Sequence, residues 1–483
     1  MKAYEELVGS TGSRIHYQAE RHDPRALFRQ AEPVVRVGGS PVHLRDFSLS
    51  GLTVTVPRGK NVDAFPGDEA RIEFELCNRR FYEGSGRILD VSKGVFETSL
   101  DLVLTTGYLD LPQMISHYEE ATFRRELEVG LEEAEQAVAP EYRQLCADIL
   151  HLLRRYRFAL ERFETKLKGH ASLTDARMAE MLALCEERIR PEWRTLWHRA
   201  NALVEPILGD RCAMDAYKRL TELVLTPEFS AAPIWRRSYQ KPLGYPGDFQ
   251  IMKMVYSWQR QGETPFARLV HFLGLDALEC VATRMVVVQQ SIMDLLQRNS
   301  GQGPVRITNL GAGSAQEVRN VLSFDDLPSP VALTLVDQDR TALAETYHEV
   351  YPDVVRHKGR AAVDCLHVSF VELMRAGELF GHLPMQDMIY SVGLFDYLGQ
   401  RRAKTLAATL FDQLLPGGTL LIGNLKRTPV SGVWPGEFVC DWSMIYRSEA
   451  EMLDLADGLD AERIDLRTDK REQVYLLSAT KRS

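Results

Sequence analysis

The sequence predicts a multidomain chain: an N-terminal antiparallel β-barrel, a central α-helical region and a C-terminal α/β domain. Three changes in hydrophobic period predict it. Residues from about 15 to 110 alternate apolar and polar in twos and break at turn residues, the pattern of short half-buried strands. From about Pro112 to Leu225 the period becomes helical, and from about Thr226 strand-like runs alternate with helical ones. The expected divisions are 1–112, 113–225 and 226–483. At 483 residues the chain exceeds what one ordinary core holds, so two or three domains are expected.

Each region has its own evidence. In the first, Pro33-Val-Val-Arg-Val runs into Gly38-Gly39, and Leu52-Thr-Val-Thr-Val, Ala70-Arg-Ile-Glu-Phe-Glu-Leu and Arg87-Ile-Leu-Asp-Val continue the alternation. Many short strands at such spacing predict a small antiparallel barrel. In the second, Leu145, Ile149, Leu152, Leu153, Tyr156, Leu160, Phe163 and Leu167 fall on one helical face. At least three helices are expected, broken near Pro140, Gly169 and Pro191, packed as a bundle or paired between chains as a homodimer. In the third, a loop-rich stretch at Tyr239–Asp248 is followed by a helix through Val255 and another through Val287. Strands are then expected at Val305–Leu310, Ala332–Val336, Met388–Tyr390, Thr419–Ile422 and Gln473–Leu477, giving a mostly parallel sheet covered on both faces.

Composition narrows the function classes. Hydrophobic residues make up 45% and charged residues 26%, an ordinary globular balance. The net charge of −9 is spread without a basic block, which argues against a nucleic-acid partner. No apolar run approaches the length of a membrane span, and the first residues lack a signal peptide's apolar core, so a cytoplasmic protein is expected. Cys77, Cys146, Cys185, Cys212, Cys280, Cys365 and Cys440 form no C-x-x-C pair and read as buried thiols, with no disulfide and no metal site.

Near the N-terminus, Arg21 and Arg25 stand four apart, followed by Asp46-Phe-Ser48-Leu-Ser-Gly51. Arginine suits phosphate and the guanine edge, Asp46 can accept from guanine N–H groups, Ser48 can bond a phosphate or base edge, and Gly51 allows a turn and close approach of a ligand. This Arg-x-x-x-Arg and Asp-x-Ser-x-x-Gly pair resembles the PilZ family of cyclic di-GMP receptors over about the first 110 residues. The resemblance implies cyclic di-GMP bound by Arg21, Arg25, Asp46, Ser48 and Gly51. Arg25 with Arg29 is a second register. Arg21 with Arg25 is preferred because the family places the second arginine immediately before the first strand.

Farther on, Val305-Arg-Ile-Thr-Asn309-Leu-Gly311-Ala312-Gly313-Ser314 is a strand entering a glycine turn, with a helix expected from about Ala315. Such a turn lets a cofactor lie against backbone. Position 316 is Gln where a dinucleotide fingerprint wants glycine. Asp337 ends the next strand, with Gln338 and Asp339 beyond. Together with Gln386–Tyr397 and the Leu415-Pro-Gly-Gly turn, the series resembles the Rossmann-like class I methyltransferases. That implies S-adenosylmethionine held by Asn309, Gly311, Ala312, Gly313, Ser314, Asp337, Gln338 and Ser391, with Cys365–Ser369 near the adenine. Asn309 departs from the Glu or Asp usual there and forfeits a charge.

Lys241-Pro-Leu-Gly-Tyr245-Pro-Gly-Asp248, Asn424 and Asp441-Trp442-Ser-Met-Ile-Tyr446-Arg447 look narrower, like the 3-hydroxypalmitic acid methyl ester biosynthesis group. The implied acceptor is a small carboxylate such as a hydroxy fatty acid, which is ionised near neutrality and needs no base. Tyr239, Lys241, Tyr245, Tyr397, Tyr446 and Arg447 are candidates to fix its head. For a hydroxyl or amine acceptor, Asp248 or Asp396 would be the base. A non-catalytic cyclic di-GMP effector acting through protein contacts, or a protein methyltransferase, is the alternative.

Overall fold

The computed structural model describes residues 4–6, 16–18, 21–28, 31–57, 65–93, 97–129, 138–167, 175–301, 303–368 and 383–483. Arg29, Gly169 and Ser369 lie outside them. The chain divides into two compact units, Met1–Glu133 and Ala134–Ser483.

The first unit is a closed six-stranded antiparallel barrel. Its strands are β1 (Val34–Val37), β2 (Ser40–Phe47), β3 (Gly51–Pro57), β4 (Glu69–Leu76), β5 (Arg79–Lys93) and β6 (Glu97–Leu104), in the order β1-β2-β3-β6-β5-β4. Closure follows because β1 pairs with both ends of the series: Val35 stands opposite Val42 of β2 and opposite Phe74 of β4. Alternate residues fill the interior, among them Val35, Leu52, Val54, Ile72, Phe74, Leu100 and Leu102, all buried. Cys77 and Asn78 both take positive φ, +48° and +61°, as a two-residue hairpin turn between β4 and β5 requires. Two helices accompany the barrel: α1 (Pro24–Leu27) and α2 (Leu111–Val129). Met114 and Tyr118 of α2 belong to the barrel's apolar cluster, and the Tyr118 ring meets Phe28 edge-on at 5.4 Å. The first helix after the barrel therefore packs on the barrel.

The second unit opens with α3 (Pro140–Leu167), α4 (Asp175–Val204), α5 (Arg211–Val224), α6 (Thr226–Phe229), α7 (Pro233–Gln240), α8 (Phe249–Ser257), α9 (Pro265–Ala277) and α10 (Glu279–Arg298). The expected α3 stripe is present, but Leu145, Ile149, Leu152, Leu153 and Leu160 are buried within this chain, so that face is spent on the chain's own core. Pro191 does not break α4. It sits on the exposed side, while Ile189, Trp193 and Trp197 bury on the other, and their burial outweighs one missing amide bond.

The sheet comprises β7 (Val305–Leu310), β8 (Val331–Asp337), β9 (Ala361–His367), β10 (Gln386–Ser391), β11 (Leu414–Leu425), β12 (Ala461–Thr468) and β13 (Val474–Lys481). Helices α11 (Gln316–Leu322), α12 (Arg340–Arg356), α13 (Gln400–Asp412) and α14 (Glu449–Asp454) alternate with them. The order is β9-β8-β7-β10-β11-β13-β12, parallel from β9 to β11. β13 runs antiparallel to both of its neighbours. Beyond the expected strands the sheet gains β9 and the edge strand β12, whose charged, largely exposed residues carry no core pattern.

One apolar cluster runs from Val138 in the helices to Leu476 in the sheet, so the central helices and the α/β part share a core. Polar ties cross the same seam. Trp434 donates its indole N–H to the Tyr142 hydroxyl at 2.8 Å, and Trp197 donates to Ser431 O at 2.9 Å. Asn201 donates to Pro429 O and accepts from Trp434 N. A chain cut to begin at residue 226 is expected to lose cooperative unfolding in urea, whereas one beginning at residue 134 keeps a single transition. Within the longer chain, Trp193→Ala should cost about 3–5 kcal/mol.

Candidate functional site

The strand order reverses between β7 and β10, which are hydrogen-bonded neighbours although β8 and β9 come between them in sequence. A crevice at the C-terminal ends of such strands is where open α/β sheets take ligands. The turn after β7 is built for a sharp departure. Gly311 and Gly313 take φ of +70° and +52°, and Ala315 also sits in the left-handed region at +39°. Gly311 N and Ala312 N both donate to Val336 O, at 2.9 and 3.2 Å. Gly313 N donates to Asp337 Oδ2 at 2.7 Å, and Asp339 N donates to Oδ1 at 2.8 Å. Asp337 thus fixes the turn, and burial raises its carboxyl pKa against these amide bonds. Ser314 is buried, and among the described residues its hydroxyl has no hydrogen-bond partner. The Gln338 carbonyl meets the His367 ring at 2.9 Å.

Asn309 has an unforeseen partner. Its amide donates to Glu317 Oε1 at 3.0 Å, and the Tyr390 hydroxyl donates to the same oxygen at 2.8 Å. Glu317 is buried in the first turn of α11, and that burial raises its pKa. A buried carboxylate from eight residues on thus stands against Asn309. An acidic residue in a helix's first turn is ordinarily solvated, so Glu317 carries no signal of this in the sequence. Ser391, also buried, donates to Leu310 O at 2.8 Å and ties β10 to β7.

The loop after β10 carries Asp396, buried, with Oδ1 accepting from Leu425 N at 2.8 Å and Oδ2 lying 3.4 Å from Arg284 Nη1. Burial lifts its pKa to about 6, against the pull of Arg284. Tyr397 stays part-exposed, its oxygen accepting from the Trp442 indole at 2.9 Å. The Tyr446 hydroxyl is sealed from solvent, with no hydrogen-bond partner among the described residues. Beside these tyrosines lies an apolar hollow lined by Ile234, Trp235, Gly274, Leu278, Trp442 and Met444.

Several sequence candidates turn out to hold the frame. Asp248 is fully buried, caps α8 through Gln250 N and Ile251 N, and takes both oxygens to Arg237 Nε at 2.8 Å, which leaves it no reach as a base. Arg447, also buried, spends its donors on Phe395 O, Leu398 O, Gln400 Oε1 and Asn424 Oδ1 and so clamps the loop after β10. Lys241 pairs with Asp441 at 2.6 Å, and Tyr239 donates to Glu222 at 3.2 Å. Tyr245 donates to Asp339 Oδ2 at 2.8 Å, drawing the 241–248 segment to the end of β8. The cysteines are not uniformly buried: Cys212 is exposed, and Cys77, Cys185 and Cys365 are intermediate.

In the barrel unit, Arg21 Nε meets Asp46 Oδ1 at 2.5 Å, and Nη2 donates to the Thr53 hydroxyl at 2.7 Å, which donates on to Asp101. Arg21 and Asp46 are thus brought together, with Thr53 and Asp101 added. Arg25 points elsewhere, 3.6 Å from Glu32. Ser48 N donates to Gly51 O at 2.8 Å. Gly51 has no positive φ; a Cβ there would stand 3.2 Å from Leu102 O, so its smallness serves strand packing and not a turn.

No family model matches the chain, and no curated protein matches it. Solved structures do. A protein described as a possible exported protein from Bordetella parapertussis is 15% identical over 49% of this chain and 80% of its own, with a TM-score of 0.38. The N-methyltransferase NodS from Bradyrhizobium japonicum is 14% identical over 41% and 98%, TM-score 0.29. Magnesium protoporphyrin IX methyltransferase from Synechocystis, with bound S-adenosylhomocysteine, is 12% identical over 51% and 97%, TM-score 0.34. Among the described residues no helix is long and apolar enough to cross a membrane, and no three metal-ligating side chains cluster.

The buried Asp396 gives a linkage test. Its raised pKa means the ionised form is disfavoured in the fold, so wild type gains stability as pH falls through about 6, a gain Asp396→Asn cannot show. In urea titrations between pH 8 and pH 5, wild-type stability minus variant stability should rise with falling pH; a constant difference would contradict the assignment.

Proposed function

We propose that the second unit is an S-adenosylmethionine-dependent methyltransferase, with cyclic di-GMP as a regulatory ligand of the barrel unit, acting in the cytoplasm. The observation that carries the enzyme half is the glycine turn at the strand-order reversal, tied to Asp337 and backed by Glu317. The residues suit the cofactor: positive-φ Gly311 and Gly313 carry no side chain into the turn, and Ser314 brings a buried hydroxyl with no partner among the described residues. Glu317 and Asp337 stand at the turn, and Asp396 in the loop after β10 faces both Arg284 and Arg447. When bound, the cofactor supplies an electrophilic methyl group for in-line displacement.

The chain's own part is alignment and dryness. Asp337 holds the turn, Arg447 holds the loop after β10, and Tyr245 draws its segment to the end of β8. The apolar hollow beside Tyr397 and Tyr446 suits the chain of a small carboxylate acceptor such as a hydroxy fatty acid. With Asp248 committed to Arg237 and a helix cap, and Asp396 buried between the Leu425 amide and Arg284, an acceptor already ionised fits better than one needing a base.

Calorimetry with S-adenosylhomocysteine tests the enzyme half: wild type should bind, and Asp337→Ala should weaken binding by about tenfold or more. No heat from folded wild type would sink it. For the barrel, Arg25 is 67% exposed with one loose ion pair, worth under about 1 kcal/mol. Arg25→Ala should therefore abolish cyclic di-GMP binding while melting like wild type; equal binding by both rejects the assignment.

A further inference from the structure

Helix α10 buries Cys280, Val281, Arg284, Val288, Ile292 and Leu296, an apolar stripe interrupted by one guanidinium. The Arg284 side chain is 9% exposed. Arginine carries five donors and stays charged. Among the described residues, the hydrogen-bonded partner of this one is Asp396, at 3.4 Å, and its Nε is sealed from solvent with no partner. Arg447, buried nearby, has oxygens on Nε and on both terminal nitrogens. The fold that satisfies one guanidinium leaves the other open, although an under-paired buried charge is costly.

Its place is specific. Arg284 Nη2 lies 3.4 Å from where a Cβ on Gly393 would stand, and Leu394 backs onto Gly311 at 3.5 Å from that residue's Cβ position. The guanidinium therefore faces the crevice between the glycine turn and the loop after β10. Asp396 is shared ground: Arg284 approaches its carboxylate, and its carbonyl accepts from Ile445 N. A dehydrated planar anion matches open donors of this kind, since a carboxylate accepts two parallel N–H bonds from one guanidinium.

We propose that Arg284 is the carboxylate anchor of this site, gripping either the α-carboxylate of the cofactor or the carboxylate of the acceptor. The inference rests on the methyltransferase reading and names the side chain that selects the ligand's acid group. Tyr239, Lys241 and Arg447, whose polar groups are engaged within the chain, leave that role to it.

The test needs two ligand pairs and two variants. On wild type, S-adenosylhomocysteine is compared with its decarboxylated analogue, and decanoate with decanamide in saturating S-adenosylhomocysteine. The acid should win in at least one pair by about tenfold or more, and Arg284→Met and Arg284→Lys should erase that preference. Loss in the first pair assigns the cofactor's carboxylate, and loss in the second the acceptor's. No preference in either pair on wild type overturns the proposal without any variant, as does a preference that survives Arg284→Met. Wild type that binds no S-adenosylhomocysteine fails the methyltransferase reading instead, which keeps the two failures apart.

Discussion

The pairing of β7 with β10 governs the second unit. With β8 and β9 on one side and β11, β13 and β12 on the other, the chain leaves the two central strands in opposite directions. The connection after β7 must turn at once to clear that opening, and Gly311, Gly313 and Ala315 take positive φ to do so. Once the turn exists its amides need partners: Val336 O takes two and Asp337 a third. Backbone accounting thus draws β8 and its terminal carboxylate to the crevice before any ligand is considered.

The same opening explains the buried charges. Glu317, Arg284 and Asp396 come from three elements, α11, α10 and the loop after β10. Each is out of water, and the polar atoms around them are unevenly satisfied. Glu317 has Asn309 and Tyr390, Asp396 has the Leu425 amide, and Arg284 has one long contact. Buried polar groups are ordinarily paired, and among the described residues Arg284 Nε, Ser314 and Tyr446 are exceptions, as are Trp193 and His271 in the helices.

Much of this was legible in the sequence, for reasons that separate the successes from the failures. The buried strand Val331–Asp337 is a nearly continuous apolar run, Val305–Leu310 keeps apolar residues at alternate positions before a short, local glycine turn, and so both announce themselves. β12 is a charged edge strand and shows no pattern. The roles of polar residues were harder to read, because they depend on partners far along the chain. Asp248 and Arg447 looked like chemistry and proved to be a helix cap and a clamp. Glu317 and Arg284, which no sequence motif singles out, are buried. In the barrel, Arg21 and Asp46 do meet, while Gly51 answers to Leu102 of the neighbouring strand.

The central claim is that the crevice between β7 and β10 is the cofactor site. Hydrogen exchange with and without S-adenosylhomocysteine tests it most directly, because amide protection reports position without needing the acceptor. The account expects slowed exchange over Gly311–Glu317, Asp337–Arg340 and Ser391–Asp396, with the barrel strands unchanged. Protection confined to other segments, or none despite measured binding, would contradict it.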